Sequence, residues 1–239
     1  MTKVTPYNSK EGKKKQVTKM FDNIAGSYDF LNHTLSLGMD NIWRKIAIKE
    51  LSNKPATILD IATGTADFAI SASKYTNATI TGIDISQGML DVGVEKITKK
   101  GLTNRIQLQL ADSEKLPFQD NSYDAITAGF GVRNFEDLNK GLSEMYRTLK
   151  SGGKVAILEP SEPTNFPLKQ FYNLYFHHIL PFIGGIISKD KNAYTYLPDS
   201  VSAFPSGKDF LTELDKVGFK ESKHIPLTFG IVSLYIAIK

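Results

Sequence analysis

Between residues 56 and 158, short apolar runs alternate with amphipathic stretches, and this alternation restricts the chain to few folds. Ala56–Ile61 is the first such run. Asp67–Tyr75 follows as a helix, and Ala78–Ile83 is a second run. Ser86–Lys100 is helical, with Met89, Leu90, Val94 and Ile97 on one face and Gly101 as its stop. Ile106–Leu110 and Tyr123–Ala128 read as third and fourth strands. A helix over Phe135–Leu149 leads through Ser151-Gly152-Gly153 to a fifth strand, Lys154–Leu158. Short apolar runs of this length suit strands buried on both faces, and strand–helix alternation implies a parallel sheet with helices on both sides. After a Gly207–Val217 helix, Phe219–Ile225 and Thr228–Ile238 predict two last strands with no helix between them, paired as a hairpin over Pro226. The expected fold is therefore α/β and Rossmann-like: a seven-stranded, mostly parallel sheet with one antiparallel C-terminal strand.

Two segments lie outside this alternation. Residues 1–51 read as a helical extension to the domain at 52–239. In the extension Val17, Met20, Phe21, Ile24 and Tyr28 recur at three- and four-residue spacings, and a second helix covers Met39–Leu51. The polar basic start over residues 10–15, Lys-Glu-Gly-Lys-Lys-Lys, is expected to fray. An aromatic cap near 161–205 holds the most apolar stretch, Phe166–Ile187. Lys169, His177-His178, Pro181 and Gly184-Gly185 break it, so no membrane-spanning helix is expected. The start has no apolar signal segment, and a cytoplasmic location is expected. Zero cysteines exclude thiol nucleophiles, zinc–thiolate and iron–sulfur sites. No metal-ligand spacing is present. The net charge of +4 first suggests an anionic partner. No RNA-binding module or aromatic–basic stripe accompanies it, so nucleic acid is not expected.

Acids stand at three successive strand tips. Asp60 ends the first strand and runs into Ile61-Ala62-Thr63-Gly64-Thr65-Ala66-Asp67, a loop of small residues that lets backbone approach a ligand. Asp84 ends the second strand, 20 residues past Gly64, where an acid can accept from ribose hydroxyls. Asp112 follows the third strand, beside Ser113, placed to accept from an adenine amine. A dinucleotide requires three glycines against its pyrophosphate, and here only Gly64 remains, flanked by Asp60 and Asp67. Acids repel phosphate but attract a sulfonium and an ammonium, so S-adenosylmethionine is the better ligand.

These residues resemble the class I S-adenosylmethionine-dependent methyltransferases, with Ala62 and Ala66 replacing two motif glycines. A closer resemblance spans roughly residues 15–239. Phe21-Asp22-Asn23-Ile24-Ala25, Tyr28-Asp29-Phe30-Leu31-Asn32, Ser36-Leu37-Gly38 and Trp43 are similar to the N-terminal signature of the ubiquinone/menaquinone biosynthesis C-methyltransferases. Phe130-Gly131-Val132-Arg133-Asn134 is similar to their second signature. One position departs: Asp40 stands where that family often has His, and no role is assigned to it. The resemblance implies methyl transfer to a ring carbon of a polyprenyl quinol, with demethylmenaquinol or a methoxy-benzoquinol precursor as acceptor. It carries cofactor contact to Thr63, Asp84, Asp112, Ser113 and Gly129, beside Asp60 and Gly64 of the loop.

An aromatic carbon attacks a methyl group only when a ring hydroxyl is ionised, which requires a base and a stabilised phenolate. Arg133 is read as the phenolate stabiliser or as a surface arginine. Asn134 would orient it or bind a quinol oxygen. Tyr28 would donate to the quinol, line the pocket or face the core. Asp29, His177 and His178 are base candidates with structural alternatives, and His33 and His224 have no evident partner. The apolar cap fits a greasy acceptor or a packed lid. With Lys13–Lys15 it suggests transient contact with a membrane surface. A homodimer is compatible with the sequence. Two other readings stand: a methyltransferase of another lipid or small molecule, and a noncatalytic adenosyl-ligand binding protein.

Overall fold

A computed structural model describes residues 4–51, 54–174 and 191–239. Two helices lead the chain, α1 (Lys13–Leu35) and α2 (Met39–Glu50). Then β1 (Thr57–Ile61), α3 (Asp67–Tyr75), β2 (Thr79–Asp84), α4 (Gln87–Lys99), β3 (Ile106–Leu110) and β4 (Tyr123–Gly129) alternate as the sequence predicts. A short 3-10 turn at Val132–Asn134 precedes α5 (Leu138–Thr148) and β5 (Leu149–Pro160). Among the described residues there follow α6 (Leu168–Leu174), α7 (Lys191–Ala203), α8 (Lys208–Val217), β6 (Lys220–Leu227), a 3-10 turn at Thr228–Gly230 and β7 (Val232–Ile238).

The seven strands form one sheet in the order β3-β2-β1-β4-β5-β7-β6. β1 to β5 pair in parallel, and β7 is antiparallel to both of its neighbours. The order reverses between β1 and β4, and ligands of open α/β sheets bind at such a switch point. The final turn is at Thr228–Gly230 and not at Pro226. Pro226 lies within β6, opposite Ser233. β6 is an edge strand, where a missing N–H costs no ladder bond.

Alternation along β1 divides the core. Ile58 faces one layer with Trp43, Ala47, Ile48, Phe68, Ile80 and Ile97. Leu59 and Ile61 face the other with Leu142, Met145, Phe210 and Leu214. A third cluster joins Val17, Met20, Ile24 and Ala25 of α1 to Met89 of α4 and to Ala193 and Tyr196 of α7. Through it, the N-terminal helix and the cap helix meet above the carboxyl ends of the strands.

Within the basic start, Lys13–Lys15 are not frayed. α1 begins at Lys13, whose Nζ donates to the carbonyl oxygens of Arg133 at 2.9 Å and Phe135 at 3.0 Å. Two of the three lysines that suggested a membrane surface are therefore used internally; Lys14 is the second, as the site geometry shows. Among the described residues, no helix is long and apolar enough to cross a membrane. The histidine pair His177-His178 and much of the aromatic stretch lie outside the described residues.

Candidate active site

The loop after β1 is built on two alanines in the left-handed region, Ala62 (φ 51°) and Ala66 (φ 68°). These are the two positions where the loop departs from the glycine motif it resembles. A left-handed alanine costs about 1–2 kcal/mol, part of it offset because alanine loses less chain entropy on folding than glycine. Ala62→Gly should therefore stabilise the fold by about 0.5–1 kcal/mol, a rise of about 2 °C in a thermal melt. An unchanged or lower melting temperature would contradict this account. Facing the loop, a Cβ on Gly131 would meet the Ala62 side chain at 2.4 Å, so the Phe130–Asn134 segment needs its glycine to close against the first loop.

Asp60 is fully buried, and its two carboxylate oxygens accept from the hydroxyls of Thr63 and, at 2.6 Å, Thr127. Neither Asp60 nor Thr63 lines the cavity beside the loop. They hold the loop from behind. Burial pushes the Asp60 carboxyl up to about 6, against the opposing pull of the two hydroxyls. The folded value lies above that of an ordinary carboxyl, so the folded protein takes up a proton that the unfolded chain still lacks between about pH 6 and 4. This group therefore adds stability as pH falls through that window. Asp60→Asn should lose about 1.5 kcal/mol of this dependence between pH 7.5 and 5, read by denaturant unfolding at both. Parallel pH profiles for the two proteins would rule it out.

The cavity lies over the switch point, with room for water-sized groups over about 70 Å³. Ala62, Gly64, Asp84, Asp112, Ser113 and Gly129 line it from the strand side. Lys14, Val17, Phe21 and Tyr28 of α1 close it from above, and Phe130, Gly131 and Asn134 form one wall. Asp84 accepts from the backbone N–H groups of Gly64 at 2.8 Å and Ser86 at 2.9 Å, and burial raises its carboxyl. Asp112 accepts from Lys14 Nζ at 2.7 Å, and the same ammonium reaches Glu114 at 2.9 Å.

Helix α1 is tied to each βα loop that it crosses. Lys14 reaches Asp112 and Glu114. Asp22 accepts from the Ser86 hydroxyl at 2.6 Å and the Gly88 N–H at 3.0 Å, at the start of α4. Asp29 accepts from the Thr65 hydroxyl of the first loop and pairs with Lys96 of α4 at 2.6 Å, while Lys96 also holds Asp67 at 2.6 Å. Asp29 is thus engaged twice, which argues against it as a base. Its bonds place the preceding residue, Tyr28, against the cavity. Burial pushes the Tyr28 hydroxyl up to about 12, with Arg133 and Arg44 opposing, so it is a donor at neutral pH.

Arg133 does not line the cavity. Its Nη1 pairs with the fully buried Glu159 at 2.9 Å and also donates to the Phe130 carbonyl, and its Nε donates to the Ser200 hydroxyl at 3.3 Å. Glu159 further accepts from the Val132 N–H at 2.6 Å. The arginine is neither at the surface nor aimed freely at a ligand; it pins its own loop. Asn134, by contrast, lines the cavity. Its Oδ1 accepts from the Tyr196 hydroxyl at 3.0 Å, and its buried Nδ2 has no hydrogen-bond partner.

Several of these residues escaped the sequence reading. Glu159 ends a strand like the three acids identified above, and that position is a usable signal. Lys14, Lys96 and Tyr196 carry no signal in sequence, since helical lysines and cap tyrosines are ordinary. Asp40 and His33 also gain partners. Asp40 is fully buried, accepts from Ser36, pairs with Arg44 at 2.8 Å and lies 2.7 Å from His33 Nδ1. His33, Asp40 and Asp67 are close enough together to share a cation. Arg44 and Lys96 already supply positive charge there. His224 Nε2 lies 2.8 Å from the Ser233 hydroxyl, and its ring stacks on Tyr235.

Known proteins match this arrangement over nearly its whole length. A demethylmenaquinone methyltransferase of Bacteroides fragilis is 49% identical over 239 residues, covering 99% of this chain and 98% of the relative. One of Porphyromonas gingivalis is 42% identical over 240 residues, with the same coverage. A ubiquinone/menaquinone biosynthesis C-methyltransferase of Geotalea daltonii is 46% identical over 230 residues, covering 95% and 97%. Among solved structures, a protein of Methanococcus maripaludis assigned by its fold to the S-adenosyl-L-methionine-dependent methyltransferases, without an established activity, has a TM-score of 0.64 at 24% identity, covering 98% of this chain and 95% of that one. The model of the ubiE/COQ5 methyltransferase family matches residues 8–239, and the chain belongs to that family.

Proposed function

We propose that this protein is a C-methyltransferase of quinone biosynthesis that uses S-adenosylmethionine to methylate a ring carbon of demethylmenaquinol. The observation that carries this reading is one cavity lined both by strand-tip acids, Asp84 and Asp112, and by Tyr28 and Asn134 of the two signature segments. The names of the relatives from Bacteroides fragilis and Porphyromonas gingivalis favour the naphthoquinol over the benzoquinol.

The residues fit the cofactor. Asp84 is placed for the ribose hydroxyls, Asp112 and Ser113 for the adenine, and Gly64 and Gly129 leave room beside the loop. Asp60 and Thr63 act through the loop's shape. When bound, S-adenosylmethionine supplies an activated methyl on a sulfonium. The protein holds the acceptor ring in line with it, and orientation is a large part of the rate enhancement. Methyl transfer to the ring carbon would release the thioether form of the cofactor, with one proton passing overall from the acceptor to solvent. Tyr28, held protonated, and Asn134, whose Nδ2 has no partner, both line the cavity and would be the donors to the phenolate oxygen. Arg133 contributes by keeping the loop under Asn134 in place.

A greasy acceptor implies contact with a membrane surface, although not through Lys13 and Lys14. Exposed apolar side chains support it better. Leu37 and Phe229 are 83% and 77% exposed, each held out on left-handed backbone, and Phe166 is 82% exposed. The hydroxyl of Thr228, next to Phe229, bonds Trp43, whose ring packs edge-on against Phe130 of the cavity wall.

Labelled S-adenosylmethionine incubated with demethylmenaquinol, kept reduced, tests the reading against a benzoquinol precursor. Label is expected in the naphthoquinol. No label in either lipid overturns the proposal, and cofactor binding without transfer to any lipid would favour a noncatalytic adenosyl-ligand protein.

A further inference from the structure

An amide side chain can present either its oxygen or its NH₂ group to a ligand, and at Asn134 the choice decides whether the group helps or opposes a phenolate. Asn134 and Tyr196 are 8% and 3% exposed, 62 residues apart in sequence, and joined by a 3.0 Å hydrogen bond from the tyrosine hydroxyl to Oδ1. The other end of the amide, Nδ2, is buried with no hydrogen-bond partner, on a residue that lines the cavity. A buried donor left unpaired costs about 1–3 kcal/mol, and a bound acceptor oxygen would relieve that cost. Turning the amide over would put a partial negative charge toward the phenolate and leave the buried tyrosine proton without its acceptor.

We propose that Tyr196 is a positioning residue for methyl transfer, locking the Asn134 amide with its NH₂ group toward the acceptor oxygen. This rests on the reading of the site given above. The lock comes from helix α7, within the chain between β5 and β6. The Tyr196 ring sits in the same cluster as Val17, Phe21 and Tyr28 of α1, so its hydroxyl is fixed on two sides. Burial pushes that hydroxyl up to about 12, and it remains a donor across the physiological range. The device ties the acceptor's hydrogen-bond donor to the segment that closes over the site.

The test uses the full-length protein with Tyr196→Phe, Asn134→Ala and the double variant. Cofactor affinity, melting temperature, and kcat and KM for demethylmenaquinol are measured for each. Tyr196→Phe should lower kcat about tenfold, the size of one lost hydrogen bond, and leave cofactor affinity within about twofold. The double variant should be no slower than Asn134→Ala alone, because the hydroxyl acts only through the amide. Multiplying losses, or an unchanged kcat in Tyr196→Phe beside a slow Asn134→Ala, overturns the inference and leaves the function standing. A wild-type rate in Asn134→Ala overturns the assignment of Asn134 itself, and with it the lock. Asn134→Asp keeps an acceptor for Tyr196 and removes the inward donor. It should lose at least as much kcat as Tyr196→Phe, and full activity there would also overturn the proposal, even if Tyr196→Phe did not fold.

Discussion

Arg133→Ala should cost about 3–5 kcal/mol of folding stability, because it leaves a buried carboxylate with its cation removed. Glu159 is fully buried, and its partners are Arg133 at 2.9 Å and the backbone N–H groups of Val132 and Arg133. Burial already raises its carboxyl, with the Arg133 charge as the main opposing influence. Without that charge the folded-state value rises further above the unfolded one. Proton uptake then partly rescues the variant as pH falls, so the deficit should be larger at pH 7.5 than at pH 5. A deficit of this size lowers the melting temperature by about 10 °C in a chain of this length. Turnover should fall with stability, since the same loop carries Asn134. A normal melting temperature with lost turnover would restore Arg133 to the role the sequence suggested, a cation acting directly on the phenolate.

The comparison shows what kind of information a sequence exposes. The order of β1 to β5 and the helices between them was legible, because alternation of burial along a strand and periodicity along a helix are local properties. The acids at 84 and 112 were legible for a related reason: strand tips in a parallel sheet share one edge, so chain position predicts spatial position. Ala62 and Ala66 show the limit of pattern matching. They break the glycine motif yet keep its backbone, both at positive φ. Contacts between distant segments were not legible. In sequence Lys14 reads as a surface charge; in the fold it lies against Asp112, 98 residues away. Arg133 follows the ligand-side end of β4, but its partner Glu159, 26 residues on, turns the guanidinium inward. Asp29 reads as a base candidate in sequence and is a fastening in the fold. In each case residue type was informative about charge, and tertiary packing decided what the charge meets.

Asp84→Ala should weaken S-adenosylmethionine binding by about 100-fold or more. A carboxylate accepting from both ribose hydroxyls makes two charge-assisted hydrogen bonds, each worth about 1.5–3 kcal/mol. Two such bonds correspond to about a hundredfold or more in dissociation constant. The side chain is only 9% exposed, with its two oxygens held by Gly64 and Ser86, so it is oriented before ligand arrives and loses little entropy on binding. That double duty also creates an ambiguity: alanine removes the ribose acceptor and the tie on the Gly64 loop together. Asp84→Asn separates them. Its one carbonyl oxygen can still accept from Gly64, while the charge and the second acceptor are gone. If contact with the ribose dominates, Asp84→Asn should show most of the loss, and kcat at saturating cofactor should stay close to wild type in both variants. If the loop tie dominates, Asp84→Asn should bind nearly normally and only the alanine variant should fail. Retention of wild-type affinity by both would remove Asp84 from the binding site. Asp112→Ala should be milder than Asp84→Ala, because Lys14 already competes for that carboxylate from within the protein, at 2.7 Å. A cofactor that gains Asp112 must displace or share an existing ion pair, whereas one that gains Asp84 meets a carboxylate whose bonds are all to backbone N–H groups and can be shared.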